Sequence, residues 1–158
     1  MNPKITNWQG KRVWLLGASS GIGAALAKEL ARRGANVAIS ARKADKLLAL
    51  NIPDALILPC DATNVASLAG ARKQLLLAWL GVDLVIYLAG DYVPMRADSF
   101  DLAKAEKVFE VNFLAAMRLT AAVLPDLKAG GGIAFVASVA GYRGLPTARA
   151  HGPGKAEL

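Results

Sequence analysis

The sequence has very little of the side-chain chemistry that cross-links small domains or holds metal ions. Its 158 residues include one cysteine, Cys60, and one histidine, His151. One cysteine cannot form an intrachain disulfide or a zinc site, and one histidine argues against multi-histidine metal chemistry. We therefore expect no metal centre, and a reducing cytoplasmic environment is the natural reading.

Long apolar runs are lacking as well. The longest obvious one, Leu75 to Val82, stops at Asp83, far short of the about 18 residues that a transmembrane helix needs. The first residues, Met-Asn-Pro-Lys-Ile-Thr, lack the apolar core of a signal peptide. The sequence thus predicts neither a transmembrane segment nor a secretory leader.

Positive charge exceeds negative charge, with 19 lysines and arginines against 12 aspartates and glutamates and a net charge of +7. Such an excess is common in proteins that bind nucleic acid. Here the basic residues are scattered and are not interleaved with aromatic ones, so we predict no nucleic-acid partner. We interpret most of these charges as residues on solvated helix faces. The more specific alternative is a basic rim that attracts a phosphorylated cofactor.

Short apolar runs alternate with longer helical patterns, and the length suits one domain spanning residues 1–158. Strands are predicted at 12–16, 36–40, 55–59, 83–88 and 133–137, and helices at 21–33, 44–50, 65–80, about 102–128 and from near Pro153. Continuously apolar strands that alternate with helices indicate a parallel sheet covered on both faces. We therefore predict an α/β fold, a Rossmann-like doubly wound sheet in three αβα layers.

The first predicted strand runs into a glycine-rich turn, Gly17-Ala18-Ser19-Ser20-Gly21-Ile22-Gly23, and a helix follows. Glycines let the backbone approach a pyrophosphate closely, and the helix start offers free N–H groups and a positive dipole end. A glycine triplet alone is weak evidence for a binding site, but the order strand, glycine-rich turn and helix within a β-α-β unit is typical of dinucleotide binding. The predicted cofactor contacts in the turn are Gly17, Ser19, Ser20, Gly21, Ile22 and Gly23.

The second strand ends in Ser40-Ala41-Arg42-Lys43, and no carboxylate occurs between Gly34 and Ala44. At this place an Asp or Glu binds the ribose 2′-hydroxyl of NAD, whereas an arginine accommodates the 2′-phosphate of NADP. We predict a preference for NADP(H) through Arg42, with NAD(H) still possible. The alternative is a solvated pair of cations at a strand end.

The G-x-x-x-G-x-G spacing of the turn resembles the short-chain dehydrogenases/reductases, and four later segments resemble that family in the same order. They are Cys60-Asp61-Ala62-Thr63, Leu88-Ala89-Gly90, Val111-Asn112-Phe113 and Val136-Ala137-Ser138-Val139-Ala140-Gly141. The resemblance covers nearly the whole chain and implies the strand order 3-2-1-4-5. It also implies cofactor contacts from Asp61, Ala62, Ala89, Gly90 and Lys155.

The resemblance further implies hydride transfer between a nicotinamide and a ketone or secondary alcohol. In the family, a serine binds the substrate oxygen, a tyrosine exchanges its proton, a lysine lowers the pKa of that tyrosine, and an asparagine orders a water relay. By position, Ser138, Lys155 and Asn112 take the serine, lysine and asparagine roles. A full-length member is expected to form a homo-oligomer through the helix around Asn112.

The sequence departs from the family pattern in ways that bear on catalysis. His151 stands where the tyrosine of the Y-x-x-x-K motif belongs, Gly154 stands where a serine is common, and Leu16 and Leu88 replace polar residues. His151 is either a surrogate proton donor, since imidazole titrates near neutrality, or a substitution that disables the site. The first reading predicts an oxidoreductase and the second a catalytically impaired dinucleotide-binding module; the substrate stays open.

Three further expectations concern the end of the chain and the surroundings of the site. The chain stops at Leu158, before the family's remaining strands, so the fifth strand is expected to form an exposed apolar edge that favours pairing or aggregation. Tyr142 is expected to line the pocket rather than donate a proton. The segment from Tyr92 to Met95 is either a loop over the nicotinamide end or a plain connection.

Overall fold

A computed structural model describes residues 5–143 and 147–158. In this part of the chain, five parallel strands form one sheet in the order β3-β2-β1-β4-β5. The strands are β1 (Arg12–Leu16), β2 (Asn36–Ser40), β3 (Leu56–Ile57), β4 (Val82–Tyr87) and β5 (Leu127–Phe135). The parallel pairing and the strand order confirm the predicted doubly wound α/β fold.

Helices connect these strands and cover the sheet. They are α1 (Gly21–Arg32), α2 (Ala44–Leu48), α3 (Val65–Trp79), α4 (Leu102–Phe109), α5 (Ala115–Val123), α6 (Val139–Tyr142) and α7 (His151–Ala156). A π turn at Glu110–Leu114 joins α4 to α5, and 3-10 turns lie at Ala97–Ser99 and Leu124–Asp126. The predicted β-α alternation is therefore present, with α6 as an additional short helix.

Two apolar clusters hold the helices to the sheet, one on each face. Trp14 of β1 packs in one cluster with Leu75 of α3 and Leu119 of α5. Leu15, the next residue of β1, packs in the other cluster with Leu30 of α1. Successive strand residues point to opposite faces, so an almost wholly apolar strand is buried on both sides. This arrangement confirms the three-layer architecture.

The prediction of one helix at 102–128 is wrong in two respects: the helix is not continuous, and it ends earlier. The π turn interrupts its α-helical pairing, α5 ends at Val123, and a 3-10 turn that contains Pro125 completes it. By length and composition the stretch Leu102–Asp126 would be long and apolar enough to cross a membrane. In this fold its buried residues, among them Ala115 and Leu119, pack against the sheet as those of a core helix.

The predicted start of the fifth strand is also wrong. β5 begins at Leu127 rather than Ile133, and Gly130, Gly131 and Gly132 lie inside it. A bulge absorbs them, since the register with β4 shifts between Val82 and Leu84. Gly130 has a φ of 76°, a conformation that glycine adopts without strain. β5 is an edge of the described sheet.

The remaining differences are small. β3 is shorter than the predicted 55–59, although the amides of Leu58 and Cys60 still donate to carbonyls at β2 and just after it. β4 starts and ends one residue earlier than predicted, and α7 begins at His151 rather than near Pro153. Strand ends lose pairing partners, so their limits depend on the neighbouring strand more than on residue type.

We expect Gly23→Ala to lower the free energy of unfolding by about 1–3 kcal/mol or more, because a rigid backbone contact would be overpacked. A Cβ on Gly23 would lie 2.3 Å from the carbonyl oxygen of Gly17. The matched control is Gly70→Ala in α3, where no described heavy atom lies within 4 Å of the added Cβ. That change is expected to stabilise by about 0.5–1 kcal/mol. Urea unfolding measures both, and equal effects would contradict the argument.

Candidate active and cofactor site

The glycine-rich turn joins β1 to α1 at the carboxyl edge of the sheet. Gly17 has a φ of 92°, and a Cβ there would lie 2.5 Å from the amide nitrogen of Ala89. Gly21 has a φ of 53°, and no described atom lies within 4 Å of a Cβ built on it. The turn therefore packs tightly against the end of β4 on one side and is open on the other.

The first turn of α1 is free to receive an anion. Ser20 is its N-cap, yet within the described residues its side chain makes no capping hydrogen bond, and the first turn of α1 holds no acidic residue. The positive end of the helix dipole and the amides of a first turn favour phosphate. Ser19 is half-buried and Ile22 is exposed beside this helix start. These residues fit the pyrophosphate of a dinucleotide.

Charged side chains follow the ends of β2 and β3. Arg42 and Lys43 are exposed, while Asp61 accepts hydrogen bonds at Oδ1 from the Thr63 hydroxyl (2.7 Å) and amide (2.9 Å). These bonds from Thr63, and to a smaller extent the charge of Arg42, lower the pKa of Asp61. Ala62 is partly buried on the α3 side of the core. The structure thus brings Arg42 near Asp61, as expected for neighbouring ends of parallel strands.

A second group of side chains meets at the end of β4. A Cβ on the exposed Gly90 would lie 3.5 Å from both Asn112 Oδ1 and Lys155 Nζ. Gly90 directly follows Ala89, which the glycine turn contacts and which is itself partly buried. The two predicted groups of site residues are therefore adjacent in space, joined by the dipeptide Ala89-Gly90.

Asn112 is fully buried in the π turn and holds the backbone of Asp91 at two points. Its Oδ1 accepts from the Asp91 amide at 2.8 Å, and its Nδ2 donates to the Asp91 carbonyl at 3.0 Å. His151 Nδ1 lies 2.9 Å from the same carbonyl oxygen and 3.2 Å from Asn112 Nδ2. Asn112 therefore orients the peptide group that the imidazole contacts.

These contacts allow two tautomers of the imidazole. The Asp91 carbonyl can only accept, and Asn112 Nδ2 can only donate. Because Asn112 Nδ2 carries two hydrogens and one of them donates to that carbonyl, His151 Nδ1 either donates to the Asp91 carbonyl or accepts the second hydrogen of Asn112. The first pairing leaves a lone pair on Nε2, and the second leaves a proton there.

Lys155 lies one helical turn after His151 in α7. It is 5% exposed, and its Nζ donates to the Val136 carbonyl at 3.0 Å. Burial lowers the pKa of Lys155. Its ammonium is thus held between the end of β5 and Gly90, the position that the family resemblance implies for the ribose-binding lysine.

Ser138 is the N-cap of α6. Its hydroxyl oxygen accepts from the Ala140 amide at 3.2 Å, which leaves its own hydrogen available as a donor. Among the described residues, it makes no hydrogen bond to His151 or Lys155. Tyr142, at the end of the same short helix, is 90% exposed. The structure therefore brings Asn112, His151 and Lys155 together, and the substrate-binding role of Ser138 stays a prediction.

Asp91 carries no signal in the sequence motifs, and Tyr92 belongs to the segment considered above as a loop over the nicotinamide end. Asp91 acts through its backbone, which no residue pattern reports. Tyr92 packs edge-on against His151 with ring centroids 5.4 Å apart, and its hydroxyl lies 3.0 Å from Thr147 Oγ1. A bridge from Met95 to Ala148 ties the same loop to the segment before α7. These contacts favour the reading of this loop as part of the site.

A family model described as short chain dehydrogenase matches residues 11–158. The chain belongs to this family. Dehydrogenase/reductase SDR family member 7 of Homo sapiens is 31% identical over 160 residues, which cover 88% of this chain and 47% of that protein. Ketoacyl reductase HetN of Nostoc sp. is 31% identical over 162 residues, covering 98% and 56%.

Solved structures of short-chain dehydrogenases agree with the fold. A dehydrogenase/reductase from Sinorhizobium meliloti 1021 has a TM-score of 0.90 at 27% identity, covering 96% of this chain and 64% of that one. The Pseudomonas aeruginosa RhlG/NADP active-site complex has a TM-score of 0.87 at 27% identity, with coverage of 96% and 64%. The chain spans about half the length of the two relatives compared by sequence, the human dehydrogenase/reductase and HetN.

A hydrogen bond from His151 Nδ1–H to the Asp91 carbonyl predicts a neutral ring with a protonated Nδ1 and an unprotonated Nε2 in ¹⁵N NMR. The assignment of the signals is direct because the chain has one histidine. Tyr92→Phe is the control, since it removes only the hydroxyl near Thr147 and is expected to keep the tautomer. A neutral ring protonated at Nε2 in the parent would contradict this prediction and show that Asn112 Nδ2 donates to Nδ1 instead.

Proposed function

We propose that this protein is an NADP(H)-preferring oxidoreductase that exchanges hydride between the nicotinamide and a ketone or secondary alcohol. The observation that carries the proposal is the adjacency of the open glycine turn and the cluster of Asn112, His151 and Lys155. Gly17 packs on Ala89, and the next residue, Gly90, borders the side chains of Asn112 and Lys155. One elongated ligand could therefore touch both groups.

The residues of this chain supply the contacts that such a cofactor needs. The start of α1 receives the pyrophosphate, and Arg42 offers a guanidinium to a 2′-phosphate. Asp61 and Ala62 lie towards the adenine end, and Lys155, with its hydrogen bond to Val136, lies towards the ribose of the nicotinamide. When bound, the nicotinamide supplies or accepts the hydride.

His151 takes the proton-transfer role in this proposal. The proposal uses the tautomer whose Nδ1–H donates to the Asp91 carbonyl, because its Nε2 lone pair can accept the proton of an alcohol. The reverse reaction needs a proton on Nε2, which this tautomer of the neutral ring lacks. Alcohol oxidation is therefore expected to be less impaired than ketone reduction.

A catalytically impaired dinucleotide-binding module is the second candidate. The Ser138 hydroxyl caps α6, and an imidazole is shorter than the phenol that the family uses, so its reach to a substrate is less. Mixing with NADPH, followed by nicotinamide fluorescence and then ketone-dependent loss of absorbance, separates the candidates. Binding with turnover supports the oxidoreductase, and binding without turnover selects the impaired module.

We also propose a cytoplasmic homo-oligomer that forms through the helix around Asn112. Leu114 and Met117, on that helix, are 40% and 52% exposed, and Leu102 is 63% exposed. Apolar side chains grouped on one exposed helix are typical of subunit contacts. The reduced, buried thiol of Cys60 suits a reducing compartment.

Arg42→Asp is expected to reverse the preference between NADPH and NADH. It removes a charge-assisted hydrogen bond worth about 1.5–3 kcal/mol and adds repulsion against the 2′-phosphate. Titration with each cofactor, followed by fluorescence, measures the ratio of dissociation constants. Lys73→Asp, the same change of charge on the exposed face of α3, is the control and should keep the parent ratio. Equal affinities of the parent for both cofactors would contradict the assignment of Arg42.

His151→Tyr is expected to raise the rate of ketone reduction by about 10²–10⁴-fold, the usual worth of positioned acid–base catalysis. The tyrosine provides a phenolate, the anion that a cationic lysine stabilises. The affinity for NADPH should change little. Steady-state kinetics with NADPH and a ketone provide the measurement. Tyr142→Phe is the control, since that hydroxyl is exposed. If the parent is fully active and His151→Tyr leaves that activity unchanged, a proton-transfer role for position 151 is refuted.

A further inference from the structure

The π turn between α4 and α5 contains a carbonyl that accepts a side-chain hydrogen bond. In this turn the Ala115 amide pairs with the Glu110 carbonyl, five residues back, so regular α-helical pairing is broken and one backbone group needs another partner. The Val111 carbonyl accepts the hydroxyl of Tyr87 at 2.5 Å. A hydroxyl from the sheet thus donates to the backbone of the turn.

Tyr87 is held rigidly while it makes this bond. It is fully buried and lies between Leu16 of β1 and Phe135 of β5 in the sheet. Its carbonyl accepts from the Val136 amide at 3.0 Å, and the Val136 carbonyl in turn accepts Lys155 Nζ. Burial raises the pKa of Tyr87, so the hydroxyl stays protonated and remains a donor.

The π turn is also connected to the proton-transfer site by hydrogen bonds. The residue after Val111 is Asn112, whose amide holds the Asp91 backbone at both its N–H and its carbonyl. The same Asp91 carbonyl is 2.9 Å from His151 Nδ1. The register of the turn therefore decides whether Asn112 faces Asp91.

We propose that Tyr87 is a positioning residue for the proton-transfer site: its hydroxyl holds the π turn in the register that directs Asn112 to Asp91 and so orients His151. Uninterrupted α-helical pairing would shift one flank by one residue, which is about 100° around the helix axis. Asn112 could not then keep its contacts while both flanks stay packed on the sheet. This role for Tyr87 deepens the proposed function. Only its effect on turnover rests on that function.

The test is Tyr87→Phe, which removes the hydroxyl and keeps the ring. We expect the tautomer ratio of the neutral His151 ring in ¹⁵N spectra to differ from that of the parent, because the Asp91 carbonyl and the Asn112 amide are no longer held in place. The kcat for NADPH-dependent turnover should fall about 10- to 100-fold from misplacement of the reacting group. The dissociation constant of NADPH should stay within about twofold of the parent, since the first turn of α1 is not part of this network.

Ile86→Val is the matched control. It removes one methylene from the preceding residue of β4, which is 7% exposed, and leaves the Tyr87 hydroxyl bond in place. It should lower thermal stability yet keep the parent tautomer and kcat, which separates positioning from general loosening of the strand. A folded Tyr87→Phe protein with the parent tautomer and the parent kcat would overturn the proposal.

Two further arms keep the test decisive. If Tyr87→Phe does not fold, 4-fluorophenylalanine at position 87 carries an atom close to the hydroxyl in size without a donor, and the same criteria apply to it. If the parent binds no NADPH or shows no turnover, the proposed function fails on its own. The ¹⁵N tautomer of His151 then decides the positioning role, since it needs neither cofactor nor substrate.

Discussion

The site depends on the close approach of the glycine turn to the end of β4. A side chain on Gly17 would lie 2.5 Å from the Ala89 amide nitrogen, so the approach requires glycine. Because β1 and β4 are parallel neighbours, their carboxyl ends meet at one edge, where a doubly wound sheet binds its ligand. Any residue that widened this gap would separate the open turn from Gly90 and from the side chains of Asn112 and Lys155.

The second half of the site is organised by backbone carbonyls. The carbonyls of Val111 and Val136 accept from Tyr87 and Lys155, respectively, and the Asp91 carbonyl accepts from Asn112 and lies 2.9 Å from His151 Nδ1. Backbone acceptors at the ends of buried strands and within a packed helix are fixed by the fold, so the side chains that use them inherit a defined position. The imidazole of His151 thus lies against a peptide group that Asn112 already holds.

The exchange of a phenol for an imidazole alters the electrostatics of the site. A lysine stabilises a phenolate because the two charges are opposite, and an imidazole has no anionic form of that kind at ordinary pH. Lys155 is itself desolvated, which lowers its pKa, and its hydrogen bond to Val136 holds the ammonium in place. The proposed proton transfer at His151 therefore lacks the opposite-charge pairing that the family's tyrosine has with its lysine.

Local patterns in the sequence were sufficient for the three-layer α/β fold and the glycine turn. Both rest on near neighbours in the chain: apolar runs of strand length, and glycines beside a helix start. The family resemblance extended this to the strand order and to the predicted roles of Asn112 and Lys155. The bulge in β5 and the break in the helix at 102–128 were not predictable from propensity, since pairing with β4 and packing on the sheet override it. Only the tertiary structure placed Tyr87 on the Val111 carbonyl and His151 on Asp91, contacts between residues 24 and 60 positions apart, because a backbone acceptor has no residue type and its partner is chosen by where the folded chain returns.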